Sequence, residues 1–192
     1  MSAVASSISS LQSRFGSAIL ETIEFRGEHT VIVSGEKAHD ILASLRDDEG
    51  FDYLLDICSI DNAGSVPRWE MVYELYSLGN GNHQHLRVKF CLAEGVKVDS
   101  VTDLWPAANW LEREVYDMMG IEFEGLADHR RILMWEGYPW FPLRKDFPLA
   151  GRSSEMPDVA FTESAPLEGG PFVTSPTSQS TQHREPRSRE ME

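Results

Sequence analysis

Cysteine is nearly missing from this sequence: Cys58 and Cys91 are the only two among 192 residues. An iron–sulfur cluster normally takes four thiolates, so the chain by itself lacks the ligands for one. Each cysteine lies in an apolar, strand-like run, the pattern of a buried free thiol in a reducing compartment rather than of a disulfide. A GxGxxG turn between strand and helix, which a Rossmann-type dinucleotide site needs, is also missing. The Gly-x-Gly from Gly79 to Gly81 reads as a hairpin turn instead, and there is no Walker-type phosphate loop. No apolar run approaches the roughly 20 residues that cross a bilayer. Basic residues are scarce, 17 Lys and Arg against 31 Asp and Glu, for a net charge of -14. Phosphate backbones are bound largely by Lys and Arg displacing counterions, so no nucleic-acid partner is expected. The first twenty positions hold one basic residue, Arg14, and no unbroken apolar stretch, which argues against a secretory signal and for a bacterial cytoplasmic compartment.

What is present is an ordinary globular composition, 41% hydrophobic and 25% charged, enough for one domain and a tail. Ile8, Leu11, Phe15 and Ile19 recur at helical spacing and predict a first amphipathic helix. Thr22 to Phe25 and Thr30 to Ser34 read as two strands around Arg26-Gly27-Glu28. Ala38, Ile41, Leu42 and Leu45 predict a second helix, with Gly50 just beyond as a stop. Phe51 to Ile60 is apolar at most positions and reads as a central strand covered on both faces, and Asp61 to Pro67 as a loop. Asn80-Gly81 between two alternating runs is a two-residue hairpin signal. Counting outward, it sets Leu75 opposite Leu86, Tyr73 opposite Val88, Met71 opposite Phe90 and Trp69 opposite Leu92, all apolar. The other face then pairs Glu74 with Arg87 and Val72 with Lys89. After Trp105-Pro106, Ala108, Leu111, Val115 and Met118 mark a third helix, with Arg113 and Asp117 paired at i, i+4 on its polar side and Gly120 as its terminator.

From Gly120 to Phe147 glycines, prolines and aromatics predict an ordered but irregular arm. Beyond Gly151, five prolines, many Ser and Thr, and only two aromatics do not make a core. The expected architecture is therefore an α+β domain over 1–120, a mainly antiparallel or mixed sheet flanked by helices, then the arm over 121–150 and an extended or disordered tail over 151–192.

Three groups of residues are candidates for chemistry. Glu112, Glu114 and Asp117 crowd one helix, but residues two apart on a helix point about 200° from each other, so Glu112 and Glu114 cannot share a site; structural ion pairing is the expected role. His83 and His85 form an HxH that could give two metal ligands, yet nothing nearby supplies the others, and exposed histidines beside a turn are expected. The arm concentrates Trp135, Tyr138, Trp140, Phe141 and Phe147 next to Arg144-Lys145. At roughly 150–250 Å² each these rings could bury about one partner's share, roughly 800 Å², of a standard interface. A binding surface is their natural use; the alternative is that several fold back on the chain's own helix.

The run from Ser100 to Ile121 resembles the core motif of the 30 kDa, or C-type, subunit family of respiratory complex I. Its centre is Glu112-Arg113-Glu114 followed by Asp117 and Gly120-Ile121. Arg130-Arg131-Ile132-Leu133, Pro142-Leu143-Arg144-Lys145-Asp146 and the Phe51-to-Asp56 strand match further family motifs. The likeness spans Gly35 to Gly151 and departs at Leu126-Ala127 and His129. The resemblance implies a domain in the peripheral arm of a proton-translocating NADH:quinone oxidoreductase, on the cytoplasmic side of the bacterial inner membrane and attached only through the complex. It implies packing on the D-type subunit, next to the B-type subunit, near the quinone site. It also implies that FMN and iron–sulfur clusters belong to other subunits, with no cofactor, metal or catalytic residue in this chain.

On that basis the aromatic arm, through Trp135, Tyr138, Trp140, Phe141, Arg144 and Lys145, is expected to dock the D-type subunit. Residues 1–150 hold 13 basic and 24 acidic side chains, and four of the basic ones, Arg130, Arg131, Arg144 and Lys145, fall in the arm. The alternatives are the equivalent subunit of a membrane-bound hydrogenase or other non-NADH dehydrogenase, and a stand-alone carboxylate hydrolase. Neighbouring flavoprotein or hydrogenase-maturation genes separate the first pair; hydrolysis lost on Glu114→Gln would mark the last.

Overall fold

The computed structural model describes residues 3–79 and 84–148. Residues 1–144 make up one compact unit, and a second begins at Lys145; in the latter the described residues, 145–148, form turns and bends. The tail expected over 151–192 and the hairpin tip Asn80-Gly81 lie outside the described residues.

The first helix, α1 (Ala3–Phe15), ends earlier than its apolar periodicity suggests. Gly16, at φ 49, breaks it, and Ile19 opens β1 (Ile19–Phe25) instead of continuing the helical stripe. β1 pairs with β2 (Glu28–Val33) so that Phe25 faces Glu28. The connection is thus two residues, Arg26-Gly27, and Glu28 and His29 already belong to β2. Both have positive φ, 53 and 83, the backbone that matches the twist of the strands in a tight hairpin.

The chain continues with α2 (Ala38–Asp47), and then with the strands β3 (Tyr53–Asp61), β4 (Trp69–Ser77) and β5 (Gln84–Leu92), which complete the sheet. Its strand order is β1-β2-β5-β4-β3, with β2 and β5 parallel and the other neighbours antiparallel. This is the expected α+β architecture with a mixed sheet. The β4/β5 register is the one counted from Asn80-Gly81: Leu75 on Leu86, Tyr73 on Val88, Met71 on Phe90, Trp69 on Leu92, and back toward the turn as far as Ser77 on Gln84. Those eight apolar side chains are all buried, and they join Leu11 of α1 and Ile41, Leu42 and Leu45 of α2 in one core. On the opposite face Glu74 accepts from Arg87 at 2.5 Å and lies 2.6 Å from the His85 ring, while Lys89 meets Glu70 at 2.7 Å.

β3 departs from expectation. It is an edge strand, not a central one, and only one of its faces is covered. A bulge between Leu54 and Asp56 sets Leu54 and Ile57 inward and leaves Leu55 and Ile60 52% and 39% exposed. A run of apolar residues with only one face buried looks the same in sequence as a doubly covered strand. The cysteines follow from the same geometry: Cys58 and Cys91 are free and exposed, not buried, because they fall on the outward phase of half-covered strands. Partial desolvation, then the Asp56 carboxylate, pushes the Cys58 thiol pKa up.

The chain closes with β6 (Val98–Asp99), α3 (Ala108–Met119) and β7 (Phe123–Glu124). β7 pairs in parallel with β6, a short piece of regular structure inside a segment expected to have none.

Arg26 holds a left-handed backbone that costs an ordinary L-residue roughly 1–2 kcal/mol, and its guanidinium over the Phe25 ring, 5.2 Å away, returns about 0.5–1 kcal/mol at an exposed site. Arg26→Asn should therefore raise stability by up to about 1 kcal/mol, read as a higher urea midpoint. A lower midpoint would show that the ring contact outweighs the backbone strain.

Candidate functional site

The ionisable side chains of α3 are its most informative feature, because three of them point inward. The helix starts after Trp105-Pro106, and its cap, Ala107, has no side-chain bond to offer. Glu112, one turn in, holds the preceding loop. It is 0% exposed and accepts from the Val101 N–H and the Ser100 hydroxyl, both at 2.7 Å. These partners are neutral, so Glu112 is not in the ion pair expected for it. Burial raises its pKa, and the two donors offset this only in part.

Arg113 and Asp117 are not partners on a solvated face, as their spacing suggested. Both are buried, at 5% and 0% exposure, and each reaches across to the arm. Arg113 donates to the carbonyls of Arg130 and Arg131 at 2.9 and 3.4 Å and lies 3.5 Å from Asp128. Asp117 receives Arg131 Nη1 at 2.6 Å on one oxygen and the N–H groups of Ile132, Leu133 and Met134 at 3.0, 2.7 and 2.9 Å on the other. Burial alone would raise the Asp117 pKa; the Met134, Leu133, Arg131 and Ile132 donors together hold it below the usual value. Arg131 is fixed further by the Asp117 and Trp140 carbonyls, at 2.9 and 3.2 Å. Arg130 turns outward instead, and its bond is the first cause of a strongly lowered Asp128 pKa.

The arm then crosses the end of α3. Gly120 caps the helix at φ 73, its N–H on the Tyr116 carbonyl. A Cβ there would stand 2.5 Å from Arg144 Nη2 and 2.6 Å from the Phe141 ring. Arg144 donates to the Met119 carbonyl at 2.6 Å, a cation at the negative end of a helix, and lies between Trp69 and Phe141, 5.2 and 4.5 Å from their centroids. Phe141 packs edge-on against Tyr116, and Tyr138 against both Trp135 and Trp140. Phe141 thus faces the chain's own helix, while Trp135, Tyr138 and Trp140 pack on one another within the arm. Lys145 and Phe147 belong to the second unit.

The structure brings Glu112, Arg113, Asp117, Gly120, Tyr138, Trp140, Phe141 and Arg144 into one assembly around α3. Glu114 is left out: it is exposed and has no partner among the described residues. His83 lies outside the described residues, and His85 is engaged with Glu74. Among the described residues no group of three or more His, Cys, Asp or Glu is placed to hold a metal. Sequence reasoning missed the roles of Ser100, Asp128 and Arg131. The Arg130-Arg131 pair, in a chain poor in cations, was the available sign that a buried carboxylate needed a counter-ion.

With all their nearby donors engaged, Glu112 and Asp117 act as tethers. Fold and site together define a small α+β domain whose buried charges hold its own irregular arm. Residues 31–153 match the family described as respiratory-chain NADH dehydrogenase, 30 Kd subunit, and the chain belongs to that family. The C-type NADH-quinone oxidoreductase subunit of Citrifermentans bemidjiense is 43% identical over 146 residues, covering 76% of this chain and 89% of that protein. A C-type subunit of the same enzyme from Rhizobium meliloti is 43% identical over 144 residues, 74% and 78% of the two chains. A chain in the solved structure of the membrane-bound sulfane sulfur reductase, an archaeal respiratory membrane complex, shares the fold with TM-score 0.63 at 24% identity, covering 76% of this chain and 86% of that one.

Asp117→Asn should cost about 3–5 kcal/mol near neutral pH, since it leaves Arg131 buried without its carboxylate. Its folded pKa is depressed, so the wild-type contribution is present above the ordinary value of 3.8 and is lost as pH falls through the lower folded value. Glu112 has the opposite sign: its folded pKa is raised, so stability declines as pH rises from the ordinary value of 4.5 through the folded one. Glu112→Gln should therefore cost less at pH 7 than Asp117→Asn and remove that decline. Urea titrations of both variants from pH 3 to pH 8 test the pair, and equal losses at pH 7 would refute the assignment. Gly120→Ala should cost more than about 2 kcal/mol, from the left-handed backbone and the blocked Phe141, and should expose the arm to limited proteolysis.

Proposed function

We propose that this chain is a structural component of the peripheral arm of a proton-translocating NADH:quinone oxidoreductase. In this reading it supports the D-type subunit, next to the B-type one, on the cytoplasmic side of the bacterial inner membrane. Electrons pass from NADH through FMN and iron–sulfur clusters on other subunits to the quinone, and this chain carries no redox centre. Membership of the 30 Kd subunit family is the observation that carries the proposal. Support also comes from the α3 assembly, which uses buried charge to rigidify an arm rather than to activate a substrate. Among the described residues no helix is long and apolar enough to cross a membrane, consistent with attachment through other chains. The names of the curated relatives favour NADH over the hydrogenase reading.

The docking surface for the D-type subunit is then the outward side of the arm, where Trp140 remains partly exposed and the Arg130 side chain is 75% exposed. The inward side, with Phe141 and Arg144, is occupied by the end of α3.

Purification of the native complex through a tag on the D-type subunit should return this chain in equimolar amount, and the isolated chain should show no flavin absorbance and no stoichiometric iron. Absence of the chain from the complex, or a cofactor in the pure chain, would overturn the proposal. Trp140→Ala keeps the carbonyl that Arg131 uses and should weaken retention by about 2 kcal/mol, a usual hot-spot value, without changing the circular dichroism spectrum.

A further inference from the structure

Every charged residue of the Glu112-to-Asp117 run has an internal partner except Glu114. Glu114 stands on the lip of a cleft of about 100 Å³ between α3 and the free edge of β3, with Asp56, Ile57, Ser59, Met118 and Leu143 among its walls. Clefts that bind metabolites usually measure about 300–1,000 Å³, so this one is the size for a side chain. Its floor is apolar: Ile57 and Met118 are buried, at 3% and 7% exposure, and Leu143 on the rim is 57% exposed. Its polar groups are unpaired. The Ser59 hydroxyl is a buried atom without a hydrogen-bond partner, and neither Asp56 nor Glu114 has a cationic partner among the described residues. One turn before Glu114 on the same helical face, Trp110 is 62% exposed.

We propose that this cleft receives an arginine side chain from a neighbouring protein of the complex. The inference rests on the reading of the chain as one component of a larger assembly. Two carboxylates without cationic partners line the cleft and suit a cation, and the apolar floor suits an aliphatic stem. A planar guanidinium can pair with Glu114 through two hydrogen bonds and stack on an indole, and it is more weakly hydrated than an ammonium. The partner is thus a protein presenting an arginine, in contact with Trp110, Glu114 and Leu143.

The test uses the native complex, purified through a different component, with this chain quantified by mass spectrometry. Glu114→Arg should lower its occupancy roughly tenfold or more, since a desolvated charge pair is replaced by like charges, and Trp110→Ala should lower it several-fold. Both residues are exposed, so the purified variants should keep the wild-type circular dichroism, and Glu114→Arg the thermal midpoint as well. Trp110 also meets the Arg113 guanidinium, 5.1 Å from its ring centroid, so its variant is compared by circular dichroism alone. Glu24→Gln, on the opposite edge strand, should have no effect. Suppressors that restore Glu114→Arg should replace an arginine of the partner with an acidic residue. Wild-type occupancy in both variants, or suppressors that replace a lysine or map within this chain, would overturn the cleft proposal alone. Absence of the wild-type chain from the complex would instead overturn the reading of the chain as part of that complex.

Discussion

Asp117 carries one negative charge into a place water does not reach, and the last third of the domain is arranged around it. A bare carboxylate there would be strongly unfavourable. Arg131 neutralises it, and three consecutive backbone N–H groups complete its hydrogen bonding. Those N–H groups belong to a segment that forms neither helix nor strand, so their donors would otherwise need water. Asp117 therefore meets two requirements at once: its own charge and the unpaired backbone of the arm. Arg113 does the reverse for the carbonyls of Arg130 and Arg131. One helical turn, through two opposite charges, thus holds both polar sides of the same irregular segment.

The rest of the site depends on that hold. With Arg131 fixed, its guanidinium lies 5.0 Å from the Phe141 centroid and 5.7 Å from that of Tyr138, so the cation orders the rings. Gly120 leaves the space in which Phe141 and Arg144 cross the helix end. Arg144 in turn links the arm to Trp69 on the central sheet. A surface already ordered loses less conformational freedom when a partner binds, which fits the proposed structural role. Three of the 13 arginines, Arg130, Arg131 and Arg144, lie on that arm.

How much of this was legible in the sequence varies by element. The β4/β5 register could be counted from Asn80-Gly81, because hairpin geometry and a two-residue side-chain alternation each specify it and agree. The third helix and its Gly120 stop were equally readable from local signals. The status of β3 was not, since an apolar run does not record how many neighbours a strand has. The cysteines were misplaced for the same reason: whether a strand position faces core or solvent depends on which face the helices cover. The arm's two expected uses, docking a partner or packing on its own helix, could not be separated by composition, because aromatic and arginine residues serve both.

The sequence by itself determined the local elements, the hairpin register and the family, through the Ser100-to-Ile121 run and the motifs after it. These rest on short-range backbone chemistry and on a contiguous pattern, which need no knowledge of distant contacts. Only the tertiary structure decided that Arg113 and Asp117 turn away from each other, that Glu112 tethers a loop through neutral donors, and that Glu114 alone of that run is left facing solvent. A spacing of four residues makes an ion pair available on an isolated helix. Which partner a charge takes in the folded chain is set by burial, and burial is a property of everything packed around the helix, not of the helix itself.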